Sequence, residues 1–261
     1  MKPRELDDRI EALYGRCDWA LGGECLHVAA IQGPSGRVIA IGPTSPSSAS
    51  DRFALGLARA RAGVILTTGA ILRAEPDLVH CYSEDPDENT ALTDWRRRIL
   101  GRAAPPRLLV LSGSGDLLTD APAFKDATGW VWTTPRGAAH LGEGPVGFSV
   151  IATEETEVGA AVRFAWARDD ALPILIEAGP TTTASLYGAE GSTLVDELLL
   201  SRFEGALLET AMGPAFIDAD RLARVFGEPL SSVVVEEASG TWRFTRCRSR
   251  DNSNRADAAA G

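Results

Sequence analysis

The sequence predicts a single α/β domain on a mostly parallel central sheet with helices on both faces. Three observations carry that prediction. Short apolar, β-prone runs alternate with helical segments along most of the chain, which is the pattern of a parallel sheet covered on both sides. The connections between them are too short and regular to split the 261 residues into two domains. The last two β-prone runs, Ser232–Glu237 and Trp242–Arg246 around Ala238-Ser239-Gly240, alternate in polarity and predict a C-terminal antiparallel hairpin at one edge.

Residues 1–25 read as an N-terminal extension, 26–246 as the domain, and 247–261 as a polar tail that dangles. Leu26–Gln32, the turn Gly33-Pro34-Ser35-Gly36 and Val38–Ile41 form a hairpin. A Pro/Ser-rich loop follows, and Asp51 caps an amphipathic helix carrying Phe53, Leu55 and Leu57 that ends near Gly63. Val64–Thr68 is then a buried strand. Leu92–Leu100 is helical, Arg107–Ser112 a strand, Pro122–Asp126 a short helix and Trp130–Thr134 a strand. Val146–Thr153 is a strand, Glu154–Ala167 an acid-started helix, Pro173–Glu177 a strand, Thr181–Tyr187 a helix and Leu198–Ser201 a strand.

Composition excludes some partners. Thirty-six acidic against 26 basic residues give a net charge of −10, which repels phosphate backbones and anionic lipid surfaces. No apolar run approaches the roughly 20 residues of a membrane span, and the charged start Met1–Asp8 is no secretory signal. The expectation is a cytoplasmic protein with reduced thiols. Cys17, Cys25 and His27 lack the short C-x-x-C spacing, so no metal site is expected. His27, His80 and His140 are scattered, as packing or surface histidines are.

Ligands of open α/β sheets bind beyond the carboxyl ends of strands, and three loops fit that place. Glu177-Ala178-Gly179-Pro180-Thr181-Thr182-Thr183 leads from a strand into a helix; free amides, a glycine and hydroxyls there suit a phosphate, or simply an N-capped turn. Glu177 itself, ending an apolar strand, either reaches solvent or holds a donor-rich ligand, because an unpaired buried charge is costly. Thr67-Thr68-Gly69 leads to Arg73 and Glu75, and Gly69 admits a flat ring against the backbone or serves as a turn. Ser112-Gly113-Ser114-Gly115 begins like G-x-G-x-x-G, but Leu118 stands at the third glycine. It is no nucleophile elbow either, since Ser112 stands where G-x-S-x-G requires glycine.

Taken together, Ser47–Asp51, Leu57–Leu66, Thr67–Pro76, Glu177–Pro180 and Leu194–Leu198 resemble, in order and spacing over roughly 26–213, the reductase domain of riboflavin biosynthesis. That family is similar in fold to dihydrofolate reductase. The resemblance implies an NADPH-dependent reduction of a ribosylamino-pyrimidine by a homodimer. It implies Thr67, Thr68 and Gly69 beside the nicotinamide ribose, Ala178, Gly179, Pro180, Thr181 and Thr182 around the pyrophosphate, and Ser112, Gly113 and Ser114 near the adenosine 2′-phosphate. It places Gln32, Asp51, Arg73, Glu75 and Glu177 on the substrate side, with Glu177 as catalytic residue. The chain departs from the family pattern at Ala70, at Gly63 in place of an aspartate, at E-A-G-P in place of E-G-G-P, and at His27 where a lysine is usual. No deaminase zinc motif is present, so the resemblance is to the reductase half alone. The departures leave a second reading: a nucleotide- or cofactor-binding accessory or sensor protein of this fold that does not turn over the riboflavin precursor. A structural or interaction protein without nucleotide affinity is a third.

Overall fold

The computed structural model describes residues 1–16, 19, 24–154, 156–168, 173–188 and 193–250. Cys17 and the tail beyond Arg250 lie outside them. The chain opens with α1 (Pro3–Tyr14), whose Leu6, Ile10, Leu13 and Tyr14 recur at i, i+4, i+7 and i+8 and are buried. The expected extension therefore begins as a core-covering helix; its charged residues line the outer face and mask the apolar stripe in a composition reading. β1 (Cys25–Gln32) and β2 (Arg37–Ile39) form the expected hairpin, closed by Gly36 at φ 64°. In α2 (Ala49–Arg61) the N-cap is Ser48, not Asp51, because the Ser48 hydroxyl accepts from the Asp51 N–H at 2.9 Å.

β3 (Val64–Thr68) runs into α3 (Gly69–Ala74), a short helix where the sequence suggested a loop, with Thr68 as its cap. α4 (Pro86–Leu100) starts six residues before the expected Leu92, because Asp85 caps it and Pro86 suits the first turn. β4 (Arg107–Leu111), β5 (Gly129–Thr133), α5 (Pro135–Leu141), β6 (Phe148–Ala152), α6 (Val158–Trp166), β7 (Ile174–Ile176) and α7 (Pro180–Thr183) continue the alternation. β8 (Glu197–Phe203), β9 (Met212–Ala215), α8 (Ala219–Phe226), β10 (Ser231–Glu237) and β11 (Gly240–Arg248) complete it. Besides α1 and α3, the elements α5, β9 and α8 go beyond the sequence reading; each has eight residues or fewer, too few to display a period.

The sheet order is β10-β11-β8-β1-β7-β3-β4-β5-β6, with β2 bridging β1 and β9 off that path. Strands β8 through β6 are parallel; β11 and β10 add antiparallel strands at one edge, so the expected fold class is the one observed. Phe53, Leu57, Leu92 and Trp95 pack on Leu26, Ile65, Leu108 and Leu175 on one face, the face that α1 also covers. Val158, Ala161, Val162 and Phe226 pack on Leu66, Leu109, Ile176 and Leu198 on the other. Burying each large side chain stabilises by about 1.5–3 kcal/mol. Among the described residues no helix is long and apolar enough to cross a membrane, and no group of three ligating side chains is arranged to hold a metal ion.

The hairpin is tied in by charge as well as packing. Arg61 of α2 donates to both Glu197 oxygens at 2.7 and 2.9 Å, Arg246 of β11 donates to the same carboxylate at 2.8 Å, and Trp19 stacks on both guanidinium groups. All three charged side chains are buried. Because Arg246 is anchored, β11 carries its pairing through Arg248, past the boundary expected at 246, and Cys247 is buried in it.

Candidate active site

The chain steps outward from β3 through β4 and β5 to β6, then returns to β7 between β1 and β3, where the winding direction reverses. A crevice beyond the strand ends opens at such a point. The Glu177 N–H still donates to the Leu66 carbonyl at 2.8 Å, so Glu177 is held as an extension of the ladder, on the face covered by α2. Arg59, two turns along α2 from Arg52, reaches down to meet it. Its Nε and Nη2 donate to the two Glu177 oxygens at 2.7 Å each, and Nη1 donates to the Cys81 carbonyl at 3.1 Å.

Both side chains are about nine-tenths covered, at 9% and 10% exposure. Burial alone would push the Glu177 pKa up, but the Arg59 charge and its paired hydrogen bonds prevail and hold it below the usual range. Glu177 thus takes neither of the two courses that sequence suggested: it does not reach solvent, and its donor-rich partner is internal. Its geometry is that of a fixed anion. The signal in the sequence was Arg59 itself, an arginine among Leu57, Ala58 and Ala60 on the packed part of a helix, which needs a buried carboxylate.

Two further groups face this pair. Glu75, at the C-terminus of α3, is half-buried; burial and the Glu177 charge raise its pKa, against the pull of Arg59. His80 is drawn down by burial, with Glu177 opposing and Arg59 reinforcing that shift. Of the other substrate-side candidates, Gln32 is engaged within the protein, donating to the Gly205 carbonyl at 2.9 Å and accepting from the Ser35 N–H at 3.1 Å. Arg73 turns to the neighbouring loop and donates to the Asp116 carbonyl at 2.6 Å, not to Glu75. Asp51 lies about 12 Å along α2 from Arg59 and hydrogen-bonds Ser201; the amides of Ala49 and Ser50 beside it are occupied by the Glu237 carboxylate at 3.2 and 2.9 Å. Gln32, Arg73 and Asp51 are therefore held away from the Glu177 cluster by contacts that no local sequence pattern displays.

The cofactor-side candidates do converge on one edge, because β7, β3 and β4 are adjacent and spaced about 4.8 Å apart. Thr67 is buried and its hydroxyl has no partner, while Thr68 caps α3 by accepting from the Ile71 N–H at 3.2 Å. A Cβ on Gly69 would lie 2.9 Å from Leu117 and 3.0 Å from Ser112, so that side of Gly69 is filled by protein, not open to a ring. Ser112 is buried, and Gly113 and Ser114 are exposed. Their turn is locked: the Thr133 and Thr134 hydroxyls donate to the Ser112 and Gly113 carbonyls at 2.6 and 2.8 Å, and Gly115, at φ 69°, has the Gly137 carbonyl 2.0 Å from where a Cβ would stand.

Gly179 is the opposite case: it is exposed, and nothing lies within 4 Å of the position its Cβ would take. The Thr182 and Thr183 amides donate back to the Gly179 carbonyl at 3.0 and 3.1 Å, closing the first turn of α7 behind Pro180 with Thr181 outward. The open Gly179, the exposed turn at Gly113-Ser114 and the starts of α3, α5 and α7 thus lie along one edge of the sheet. Ala178 is supported from below by His27, which hydrogen-bonds its backbone while His27 Nδ1 lies 2.5 Å from the Tyr187 hydroxyl. Burial lowers the His27 pKa to about 4, so this imidazole is a neutral prop.

No protein-family model matches the chain, and no curated protein matches it. Solved structures do. A pyrimidine reductase-like protein from Corynebacterium diphtheriae superposes with a TM-score of 0.59 at 18% identity over 92% of this chain and 98% of that one. The riboflavin biosynthesis reductase of Saccharomyces cerevisiae superposes with 0.54 at 10% identity, over 95% and 98%. The diaminohydroxyphosphoribosylaminopyrimidine deaminase/5-amino-6-(5-phosphoribosylamino)uracil reductase of Thermotoga maritima gives 0.56 at 16% identity, over 86% of this chain and 56% of that longer one. At these identities the likeness is one of fold, and the fold of this chain is that of the pyrimidine reductases of riboflavin biosynthesis.

Proposed function

We propose that this chain is an NADPH-dependent reductase of a ribosylamino-pyrimidine or a related heterocycle, working as a homodimer in the cytoplasm. The observation that carries the reading is the Arg59-clamped Glu177 at the reversal point of the sheet, with the open Gly179 turn directly after it. A bound nicotinamide supplies a hydride; the protein supplies alignment and charge. Gly179, Thr181 and Thr182 would hold the pyrophosphate, Thr68 would border the nicotinamide ribose, and Gly113 and Ser114 would face the adenosine end. Arg136, exposed in the first turn of α5 beside the Gly113 turn, offers a cation for a 2′-phosphate. Glu177 fixes the substrate electrostatically, and Glu75, whose pKa burial raises, is the nearest carboxyl to relay a proton to a heteroatom as the neighbouring carbon receives the hydride.

The test is a titration of the protein with NADPH and NADH, followed by melting temperature and by loss of reduced-nicotinamide absorbance with aminopyrimidine substrates. At 100 times its Kd a ligand stabilises by about 2.7 kcal/mol, which raises the Tm by about 5–10 °C in a domain of this size. A shift with NADPH and its oxidation support the reading. A shift without oxidation favours the accessory or sensor reading, and no shift with either nucleotide refutes the dinucleotide site and leaves the likeness as one of fold without that function.

A further inference from the structure

The turn that opens at Gly179 has little of its own to hold it in shape. α7 has four residues and the tight turn after it, Ala184–Leu186, has three, and so short a helix does not persist without tertiary contacts. Nothing lies within 4 Å of the place a Gly179 Cβ would take. The Ala178–Gly179 peptide is therefore free to rotate as a unit about its flanking bonds, which exchanges the directions of its C=O and N–H. Those two groups point opposite ways across a trans peptide, so holding one of them inward turns the other to the open side.

One side chain of β1 decides between them. His27 stands in the middle of the sheet, in register with Ile176 of β7 and Leu198 of β8, and is buried. Ala178 lies two residues beyond Ile176. The imidazole hydrogen-bonds the Ala178 backbone in the sense that favours a protonated ring, which identifies the acceptor as the Ala178 carbonyl. Nδ1 is occupied by the Tyr187 hydroxyl at 2.5 Å, which leaves Nε2 for that carbonyl. A neutral imidazole has one N–H and one lone pair, so Nε2 donates to Ala178 and Nδ1 accepts from Tyr187. Tyr187 directly follows the tight turn and is fixed by edge contacts with Phe216 and Phe226. One imidazole thus ties both ends of the segment from Ala178 to Tyr187. With the carbonyl held inward, the Gly179 N–H faces outward, and among the described residues it donates to no protein acceptor.

We propose that His27 is a positioning residue for the dinucleotide: with Tyr187 on one ring nitrogen and the Ala178 carbonyl on the other, it keeps the Gly179 N–H, and not a repelling carbonyl, turned toward the pyrophosphate. This rests on the reductase reading, in which the Gly179 turn holds the pyrophosphate, and gives a role in it to two side chains buried beneath that turn. NADPH binding is measured by its fluorescence in three variants. His27→Leu loses both hydrogen bonds, His27→Gln keeps a donor for the carbonyl and an acceptor for Tyr187, and Val162→Ala opens a cavity in the same apolar layer as a control for lost stability. His27→Leu is expected to bind NADPH about tenfold more weakly and His27→Gln to stay within about threefold of the wild type. Val162→Ala is expected to bind as the wild type does, at a lower Tm. Nitrogen-15 spectra of histidine-labelled wild type, with the His27 signals assigned by their loss in His27→Gln, are expected to show the proton on Nε2 and none on Nδ1 at neutral pH.

Unchanged affinity in His27→Leu, an equal loss in His27→Gln, an equal loss in Val162→Ala, or a proton on Nδ1 each overturns the inference while the reductase reading stands. If His27→Leu does not fold, Tyr187→Phe takes its place. That variant removes one hydroxyl, keeps the ring packing and is expected to weaken NADPH binding about threefold; unchanged affinity there overturns the inference equally. NADPH that fails to bind the wild type refutes the dinucleotide site itself, and the inference falls with it.

Discussion

Replacing Arg59 with methionine keeps most of the volume of the side chain and removes the charge that Glu177 faces. In the native protein two hydrogen bonds of 2.7 Å join the pair at about 10% exposure, so neither water nor a counterion takes the place of the guanidinium without rearrangement. Breaking a buried pair from one side costs about 3–5 kcal/mol, or about 6–20 °C of Tm at this chain length. The cost is pH-dependent with a defined sign. In the wild type the Glu177 pKa is lowered, so the pair contributes stability above the ordinary carboxylate range and loses it as pH falls through the lowered value. In Arg59→Met, burial is left unopposed and the pKa rises, so the destabilisation is full at neutral pH and shrinks as acid protonates Glu177.

Urea unfolding at about pH 8 and about pH 5 measures both values, and Arg59→Met/Glu177→Gln closes the cycle. The double variant is expected to recover most of the loss at the higher pH. A loss below about 1 kcal/mol, typical of exposed pairs, or one equal at both pH values would refute the claim that Glu177 is a buried anion held by Arg59.

Glu197→Gln leaves the Arg61 and Arg246 guanidinium groups facing each other in the interior and is expected to destabilise by about 3–5 kcal/mol, read from urea midpoints. In the wild type the Glu197 pKa is lowered to about 2, as two arginines outweigh the upward push of burial, so its contribution of about 3 kcal/mol is present above the ordinary carboxylate range and disappears as acid approaches that value. Gly115→Ala forces a Cβ to 2.0 Å from the Gly137 carbonyl at φ 69° and is expected to lower stability by about 2 kcal/mol or more. Gly179→Ala, with φ −67° and free space around it, is expected to change stability by less than about 0.5 kcal/mol while weakening NADPH binding about tenfold by crowding the pyrophosphate; an unchanged Kd would remove Gly179 from the cofactor site.

Strands β3, β4, β5 and β7 were legible because they are short, nearly pure apolar runs bounded by polar or turn residues, the pattern of strands covered on both faces. The helix α1 was not, since its buried Leu6, Ile10 and Leu13 are interleaved with charges and its partner surface comes from α4, β10 and β11 far along the chain. At the site, Thr68, Gly113, Ser114 and Gly179 were placed on one edge by their positions after strands. Glu75 and Glu177 proved to share a cluster, but Gln32, Asp51 and Arg73 had found partners inside the protein: Gly205 and Ser35, Ser201, and Asp116.

The sequence by itself determined the layer architecture, the parallel sheet, the closing hairpin and the loops that meet at the strand ends, because hydrophobic periodicity and turn chemistry act over a few residues. Tertiary structure alone decided which charges pair. Arg59 and Glu177 are 118 residues apart, and Arg61 and Glu197 are 136 apart; no local rule matches one arginine of a helix to one carboxylate and its neighbour to another. That choice follows from helix rotation and strand order, which bring Arg59 over the carboxyl end of β7 and Arg61 over the start of β8. It also settled that Glu177 is held as a fixed anion, while His80 keeps an unpartnered ring beside it.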